Sequence, residues 1–326
     1  MDLTLFVTYR CNARCIMCNI WQHPSVLSDE ITPELLSRQL PDHAFNKITL
    51  SGGEPTLRSD LLEIVRVLQP KPRRIEVISN GLKPDKLIEI ATQYPKTIFR
   101  ISLDGLAAVH DEMRGTPGAY ELAMRSINEL LRLGVTNIGL SLTLGEKNLA
   151  DLMPLYQLAC TLGIEMSVTV PHNSFYFHKE DNAIADQPAW AAEFRKYIRA
   201  LLHSKRSSLK LRVKDWFRAY LSYGLLLHVL QETRPLPCSA ADAFCFIDPS
   251  GDVMPCHGMA KKMSMGNLNE QPFEAIMHSD LSGQAHKAVA ACQNRCWMMC
   301  TAVPMMKKNL VRVLWWIAKN KWTTDF

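Results

Sequence analysis

The chain has 326 residues, 47% of them hydrophobic and 21% charged, with a formal net charge of +5. That balance excludes an extended disordered chain, and a small basic excess without a stripe of Lys and Arg interleaved with aromatics gives no reason to expect a nucleic-acid partner. No apolar run reaches the roughly 18 residues that span a bilayer, and ten cysteines without a secretory signal point to the cytoplasm, where thiols bind metal rather than each other.

The first strand-like run, LTLFVTY, leads into TYRCNARCIMCNIW at residues 8–21, with Cys11, Cys15 and Cys18 in a CxxxCxxC arrangement. Soft thiolates gathered from one loop suit an iron-sulfur cluster or zinc, whereas a dithiol redox pair needs only two of them. Three thiolates on a cubic [4Fe-4S] cluster leave one iron open to another ligand, as catalytic zinc sites keep one position open. The competing readings are a zinc knuckle completed by His23 and plain buried cysteines. Tyr9 and Trp21 flank the loop and are placed to shield it.

From residue 3 to about 171, six β-rich runs (LTLFVTY, KITLSGG, RIEVISN, TIFRISLDG, NIGLSLTL, EMSVTVP) alternate with helical stretches near 32–40, 59–69, 84–93, 119–133 and 148–162. This repetition implies a parallel sheet with helical crossovers, and the nearly uniform apolar strands predict burial on both faces. The expected fold is α/β: a partial (β/α)6 TIM-like barrel with a small C-terminal cysteine-rich β-hairpin/helix extension. Residues 185–232 read as helices that cover the barrel or lead out of it. The expected units are therefore 1–233 for the barrel (core 1–171), 234–302 for the extension, and 303–326 for an amphipathic C-terminal helix.

Polar and glycine residues collect at the strand C-terminal ends, where α/β folds bind ligands: Ser51 to Glu54, Ser79 to Gly81, and Asp104 with Gly105. Turn geometry explains each alone, but recurrence at successive strands favours a site. In SGGEPTLR, Gly52 and Gly53 let backbone groups approach a ligand, Glu54 offers a carboxylate to an ammonium group, and Pro55 fixes the exit of the turn.

The prolines of RPLPC at 234–238 mark a boundary, and AFCFIDPSGDVMPC beyond it is a hairpin around a DPSGD turn. Cys238 and Cys256 bracket that hairpin as C-x12-G-x4-C with Gly251 in the turn, and Cys292, Cys296 and Cys300 follow at intervals of four. With Cys245 the extension holds six cysteines; four thiolates close a second cluster, a structural zinc site or unrelated buried thiols being the alternatives. Cys160 reads as core packing.

With CxxxCxxC, GGEP about 34 residues later and the C-terminal cysteines together, the chain resembles the radical S-adenosylmethionine (SAM) superfamily carrying a twitch- or SPASM-like extension. The resemblance covers nearly the whole chain. It implies a [4Fe-4S] cluster on Cys11, Cys15 and Cys18 whose free iron is chelated by the amino and carboxylate groups of SAM, with Gly52, Gly53, Glu54 and Pro55 around the methionine amino group. It also implies Ser79 and Asn80 near the ribose or sulfonium, Ser102, Asp104 and Ser141 lining cofactor or substrate, Arg114 near the cofactor carboxylate, and Val168 and Val170 flanking adenine. For Asp104 and Arg114 the plainer readings are a turn cap and a surface pair with Asp111 or Glu112. The extension departs from the full SPASM pattern, which resembles a seven-cysteine set holding two clusters; six cysteines imply the shorter, twitch-like form with one auxiliary [4Fe-4S] cluster. Its expected ligands are Cys238, Cys256, Cys296 and Cys300, with Cys245 and Cys292 in reserve.

The resemblance implies reductive cleavage of SAM to a 5′-deoxyadenosyl radical that abstracts hydrogen from a substrate carbon, with electrons from a donor such as flavodoxin or ferredoxin. The sequence favours oxidation of a small alcohol, sugar-like or lipid-linked metabolite, since no separate peptide-recognition unit precedes the first strand. The alternatives are a peptide-modifying (RiPP) maturase and, in another class, a non-catalytic iron-sulfur or zinc-binding sensor or scaffold. His172, Asn173, Tyr176 and His178 follow the sixth strand and are the candidate base or substrate contacts, against the plainer reading of a polar loop. The C-terminal VPMMKKNLVRVLWWIAKNKW fits an amphipathic helix that docks on the protein or lies at a membrane interface.

Overall fold

The structure, a computed structural model, describes residues 1–259 and 261–323. One sheet carries β1 (Asp2–Thr8), β2 (Lys47–Gly52), β3 (Ile75–Ser79), β4 (Ile98–Ser102), β5 (Ile138–Thr143) and β6 (Glu165–Thr169) as parallel neighbours in sequence order. The crossovers are α1 (Pro33–Gln39), α2 (Leu61–Leu68), α3 (Pro84–Gln93), α4 (Ala107–Arg114) with α5 (Ala119–Arg132), and α6 (Leu152–Thr161). This is the partial barrel that the alternation predicts. Helix α4 escaped the apolar pattern because AAVHDEMR buries only His110 and Met113; Asp151 caps its approach by accepting the Leu106 N–H at 2.8 Å.

Two features differ from expectation. The hairpin strand β7 (Phe244–Ile247) pairs in parallel with β1, Asp2 opposite Phe244, before β8 (Asp252–Met254) and β9 (Gly266–Asn267) continue antiparallel. The extension is thus built onto the barrel's own sheet. The strands are also not uniformly apolar: Leu5, Leu50, Val77 and Phe99 pack outward into the core, while Thr4, Thr49, Arg100 and Ser141 face a cavity. An open barrel keeps a polar lumen, so its strands alternate with period two.

Beyond β6, α7 (Gln187–Leu202) and α8 (Leu209–Val229) pack together on the barrel. Near the strand N-terminal ends an ionic ladder spans the lumen: Lys47 lies 2.5 Å from Glu76, Arg100 lies 3.2 Å from Glu76 and 2.9 Å from Glu165, and Glu165 pairs with Lys214 and Arg218 of α8. Gly139 makes room for it, since a Cβ there would sit 2.4 Å from Arg100 Nη1. Burial opposes ionisation of Glu165, but Arg100, Arg218 and Lys214 outweigh it and hold the carboxyl at about 2.

After α9 (Phe273–Met277) and α10 (Asp280–Ala290), the C-terminal segment forms α11 (Met299–Lys308) and α12 (Leu310–Trp322) with a break at Asn309. The helix expected from 303 therefore begins four residues earlier and takes in Cys300, and its last residues, 324–326, lie outside the described part. Trp316 fixes α12 on α8, its ring 5.3 Å from Tyr220 and 4.8 Å from Tyr223 between centroids. Among the described residues no helix is long and apolar enough to cross a membrane.

Candidate active site

The cysteine loop after β1 is clamped on two sides by backbone. On one side Gly53 N–H donates to Thr8 O at 2.8 Å and Glu54 N–H to Arg10 O at 2.9 Å. A Cβ on Gly52 would lie 2.2 Å from Thr8 O, and one on Gly53 would lie 2.3 Å from Arg10 O and 2.7 Å from Tyr9 O. The glycines expected to admit a ligand thus first admit the cysteine loop itself. On the other side Arg14 N–H donates to Arg114 O at 2.9 Å and Ile16 N–H to Met113 O at 3.1 Å, so the end of α4 holds the loop. His23, the candidate fourth zinc ligand, instead stacks on His178 at 3.9 Å.

Glu54 is buried, and its carboxylate is occupied by its own chain. Oε1 accepts from Thr56 N–H (3.0 Å), Thr56 Oγ1 (2.6 Å) and Ser79 Oγ (2.8 Å), and Oε2 accepts the Asn80 N–H (2.7 Å). Three donors crowd Oε1 and one reaches Oε2, so Glu54 ties the end of β2 to the end of β3 while still bordering the cavity. Burial raises its carboxyl, and these hydrogen bonds oppose the rise. Asn80 Nδ2 reaches on to Asn12 Oδ1 at 2.8 Å, joining β3 to the cysteine loop.

Asp104 and Arg114 are neither turn cap nor surface pair. Arg114 Nη2 lies 2.6 Å from Asp104 Oδ2, with 12% and 0% of the side chains exposed, and Nη1 lies 3.6 Å from Cys15 Sγ. Asp104 Oδ1 also accepts the Thr143 N–H at 2.8 Å. Despite its burial, Arg114 is held more firmly protonated than an ordinary arginine by Asp104, Cys15 and Cys11.

Burial, with the charge of its neighbours Cys15 and Glu54, pushes Cys11 up to about 12; burial, again with Cys15 beside it, takes Cys18 to about 11, and burial raises Cys15 in spite of Arg114. In the extension burial raises Cys256 to about 12, with Cys296, Cys238 and Cys292 adding to it, and takes Cys300 well up in the field of Cys256, Cys296 and Cys238. Cys245 stands apart: it is a core residue of β7, and its sulfur lies 3.9 Å from that of Met1. The tertiary structure removes it from the reserve ligands and keeps Cys292 near the group. Trp297 anchors this cysteine segment on α8, its indole donating to Leu221 O at 2.8 Å across Gly224, where a Cβ would meet the ring at 2.3 Å.

One cavity of about 360 Å³ is bordered by Cys11, Cys15 and Cys18 of the first cysteine set and by Cys300 of the second. Gly52, Gly53, Glu54, Ser79, Asn80, Ser102, Arg114, Ser141 and Val170 border it as well. Pro55 and Asp104 do not reach it and lie behind the wall, and Val168 points to the core on the opposite face of β6. Of the loop candidates only His172 lines the cavity. Asn173 instead clasps Asn182 through two 3.0 Å hydrogen bonds, and the Tyr176 hydroxyl meets Met254 Sδ at 2.6 Å inside an aromatic cluster. His172 Nδ1 is 2.7 Å from Val170 O, its Nε2 has no partner among the described residues, and burial together with the nearby His228 lowers it to about 4. Motif reading missed His257 and Phe177, which also line the cavity; the position of His257 directly after a candidate ligand was its one signal.

The description "Radical SAM superfamily" matches residues 5–159, and "Iron-sulfur cluster-binding domain" matches residues 238–301. Fe-coproporphyrin III synthase of Methanosarcina barkeri is 30% identical over 89% of this chain and 75% of its own length. The chain belongs to the radical SAM superfamily. This radical SAM chain is also 24% identical to the antilisterial bacteriocin subtilosin biosynthesis protein AlbA of Bacillus subtilis, over 89% of this chain and 62% of AlbA. Its fold is that of native anSMEcpe, solved with AdoMet and the Cp18Cys peptide, at a TM-score of 0.63 and 13% identity, over 98% and 99% of the two chains. As a radical SAM enzyme of the SPASM type it uses a [4Fe-4S] cluster, SAM and an auxiliary iron-sulfur cluster.

The donor chemistry fits these groups. Buried thiols at such raised values stay protonated at neutral pH until a cationic cluster supplies the missing charge, with release of protons. Backbone N–H groups are aimed at the sulfurs two residues before them: Ala13 at Cys11, Ile20 at Cys18, Gly258 at Cys256 (3.1 Å) and Ala240 at Cys238 (3.5 Å). Donors of this kind tune iron-sulfur clusters.

Proposed function

We propose that this radical SAM enzyme modifies a peptide, acting on a carbon of an apolar side chain inserted into the cavity that both cysteine sets border. The observation that carries this reading is the apolar part of the cavity lining, Phe6, Met17, Phe177 and Met298, with His172 and His257 beside it. Methionine-bearing walls adapt to an apolar guest. The cavity lies near the lower end of the roughly 300–1,000 Å³ range of small-molecule sites. Relatives involved in bacteriocin biosynthesis support the same class over the small-alcohol or lipid-linked one.

In this reading Cys11, Cys15 and Cys18 hold the first cluster, and Cys238, Cys256, Cys296 and Cys300 the auxiliary one, with Cys292 the alternate. Bound there, these groups supply reductive cleavage of SAM and hydrogen abstraction by the 5′-deoxyadenosyl radical. The protein's own part is to orient and protect. Gly52 and Gly53 would present backbone to the methionine end, Ser79, Asn80, Ser102 and Ser141 would hold the rest of the cofactor, Val170 would meet the adenine, and Arg114 balances charge at Cys15. Neutral His172, with Nδ1–H donated to Val170 O, leaves Nε2 free to accept a proton from the substrate. One electron from a carrier of the flavodoxin or ferredoxin class would start SAM cleavage to methionine. With a hydrogen atom passed to the resulting radical to give 5′-deoxyadenosine, a proton to His172 and one electron to the auxiliary cluster, the substrate would undergo a net two-electron oxidation.

A second reading rests on the 30% identity to Fe-coproporphyrin III synthase: a porphyrin side chain in place of a peptide side chain. Anaerobic reconstitution should give about eight irons per chain, four for each cubic cluster, and reductant-dependent 5′-deoxyadenosine. Deuterium transfer into 5′-deoxyadenosine from a side-chain-deuterated peptide supports the proposal. Transfer from a deuterated porphyrin or alcohol, with none from any peptide, would sink it.

A further inference from the structure

Helix α12 carries two apolar faces. Val313, Trp316 and Ile317 are buried against the protein, while Val311, Trp315 and Trp322 on the other side are 83%, 62% and 86% exposed, with Leu310 and Leu314 nearly half exposed. At 3.6 residues per turn, Val311, Leu314, Trp315, Ala318 and Trp322 form one continuous outer stripe. Lys321 borders it on one side, and Arg312 with Lys319 on the other, Lys319 Nζ lying 5.3 Å over the Trp315 ring. From residue 281 to 324 the sequence has seven Lys and Arg and no Asp or Glu.

We infer that this outer face of α12 lays the enzyme on an anionic lipid surface. An apolar strip with tryptophans, edged by basic side chains whose stems can reach outward, is the pattern of a helix lying in the plane of a bilayer interface. The stripe is already presented while Trp316 holds the opposite face on α8, so binding needs no rearrangement of the fold. A second copy of this chain on the same face would bring Arg312 and Lys319 against their own like charges, whereas anionic headgroups neutralise them. The inference is independent of the substrate.

The test is flotation of the full, anaerobically purified chain with phosphatidylcholine vesicles, with and without one quarter phosphatidylglycerol. Binding is expected to the anionic vesicles and to weaken in 0.5 M salt. Arg312→Gln with Lys319→Gln should lower partitioning roughly thirtyfold at the contribution usual for a basic residue near such a surface. Val311→Ser with Trp315→Ala should lower it at least tenfold. Both pairs lie away from the cavity, so iron content and cleavage of SAM in solution should match the parent and show that the fold is intact. Absence of flotation with anionic vesicles, or flotation unchanged in both variants, overturns the inference. So does a parent dimer in solution that Trp315→Ala converts to monomer, because the stripe would then be a self-association surface.

Discussion

Replacing Arg114 with methionine would leave Asp104, none of whose side chain is exposed, without the guanidinium 2.6 Å away. Breaking a buried pair from one side typically costs about 3–5 kcal/mol, because the remaining charge is stranded in a medium that cannot solvate it. For a chain of this size that corresponds to a fall in Tm of about 4–7 °C, accompanied by loss of iron from the cysteine loop, since Arg114 also touches Cys15 and its carbonyl holds Arg14. Asp104→Asn combined with Arg114→Met removes both charges while the asparagine oxygen can still accept the Thr143 N–H. The double variant should therefore recover at least half of the loss. Anaerobic thermal melts of wild type, both single variants and the double variant measure this directly. If the single losses add in the double variant to within about 0.5 kcal/mol, the pair is not coupled and the account of how α4 braces the cysteine loop is wrong.

Gly53→Ala puts a methyl against two carbonyl oxygens of the cysteine loop, and reconstituted iron should drop from about eight to about four per chain, as read by iron assay. Cys296→Ala should also remove about four irons, whereas Cys245→Ala should leave iron unchanged; the reverse pattern would refute the ligand grouping. His172 is held at about 4 when folded against about 6.5 unfolded, so the unfolded chain takes up the extra proton. Its contribution to stability is therefore constant above about pH 6.5 and declines by roughly 1.4 kcal/mol per pH unit below it, down to about pH 4. Denaturation midpoints at pH 7.5 and 5.5 should separate by less in His172→Gln than in wild type. Glu54→Gln turns an acceptor for the Asn80 N–H into a donor, and SAM affinity by equilibrium dialysis should weaken about tenfold or more.

Local chemistry was enough to read the barrel and the first cluster site. Strand runs separated by helical periods imply parallel crossovers, and three thiols within eight residues of one loop carry the chemistry of a soft metal site; in the structure all three border one cavity. GGEP was legible for the same reason, but its second task, holding the cysteine loop and the end of β3, was not. Nothing local states that a Gly53 Cβ would strike Arg10 O, or that the Glu54 oxygens would be used by Thr56, Ser79 and Asn80.

What tertiary structure alone decided depends on groups far apart in sequence. Along the chain Cys245 stood in reserve to Cys256; the parallel pairing of β7 with β1 turns Cys245 into the core, while the turn beyond β8 carries Cys256 toward Cys296. The pairing of Arg114 with Asp104 required α4, a helix with too few apolar residues to announce itself. His172 and Asn173 are adjacent, yet one backbone step carries one into the cavity and the other to Asn182 at the surface. Sequence spacing supplied the chemistry of the ligands; the direction in which each side chain points was set by strand register and by helices packed from elsewhere.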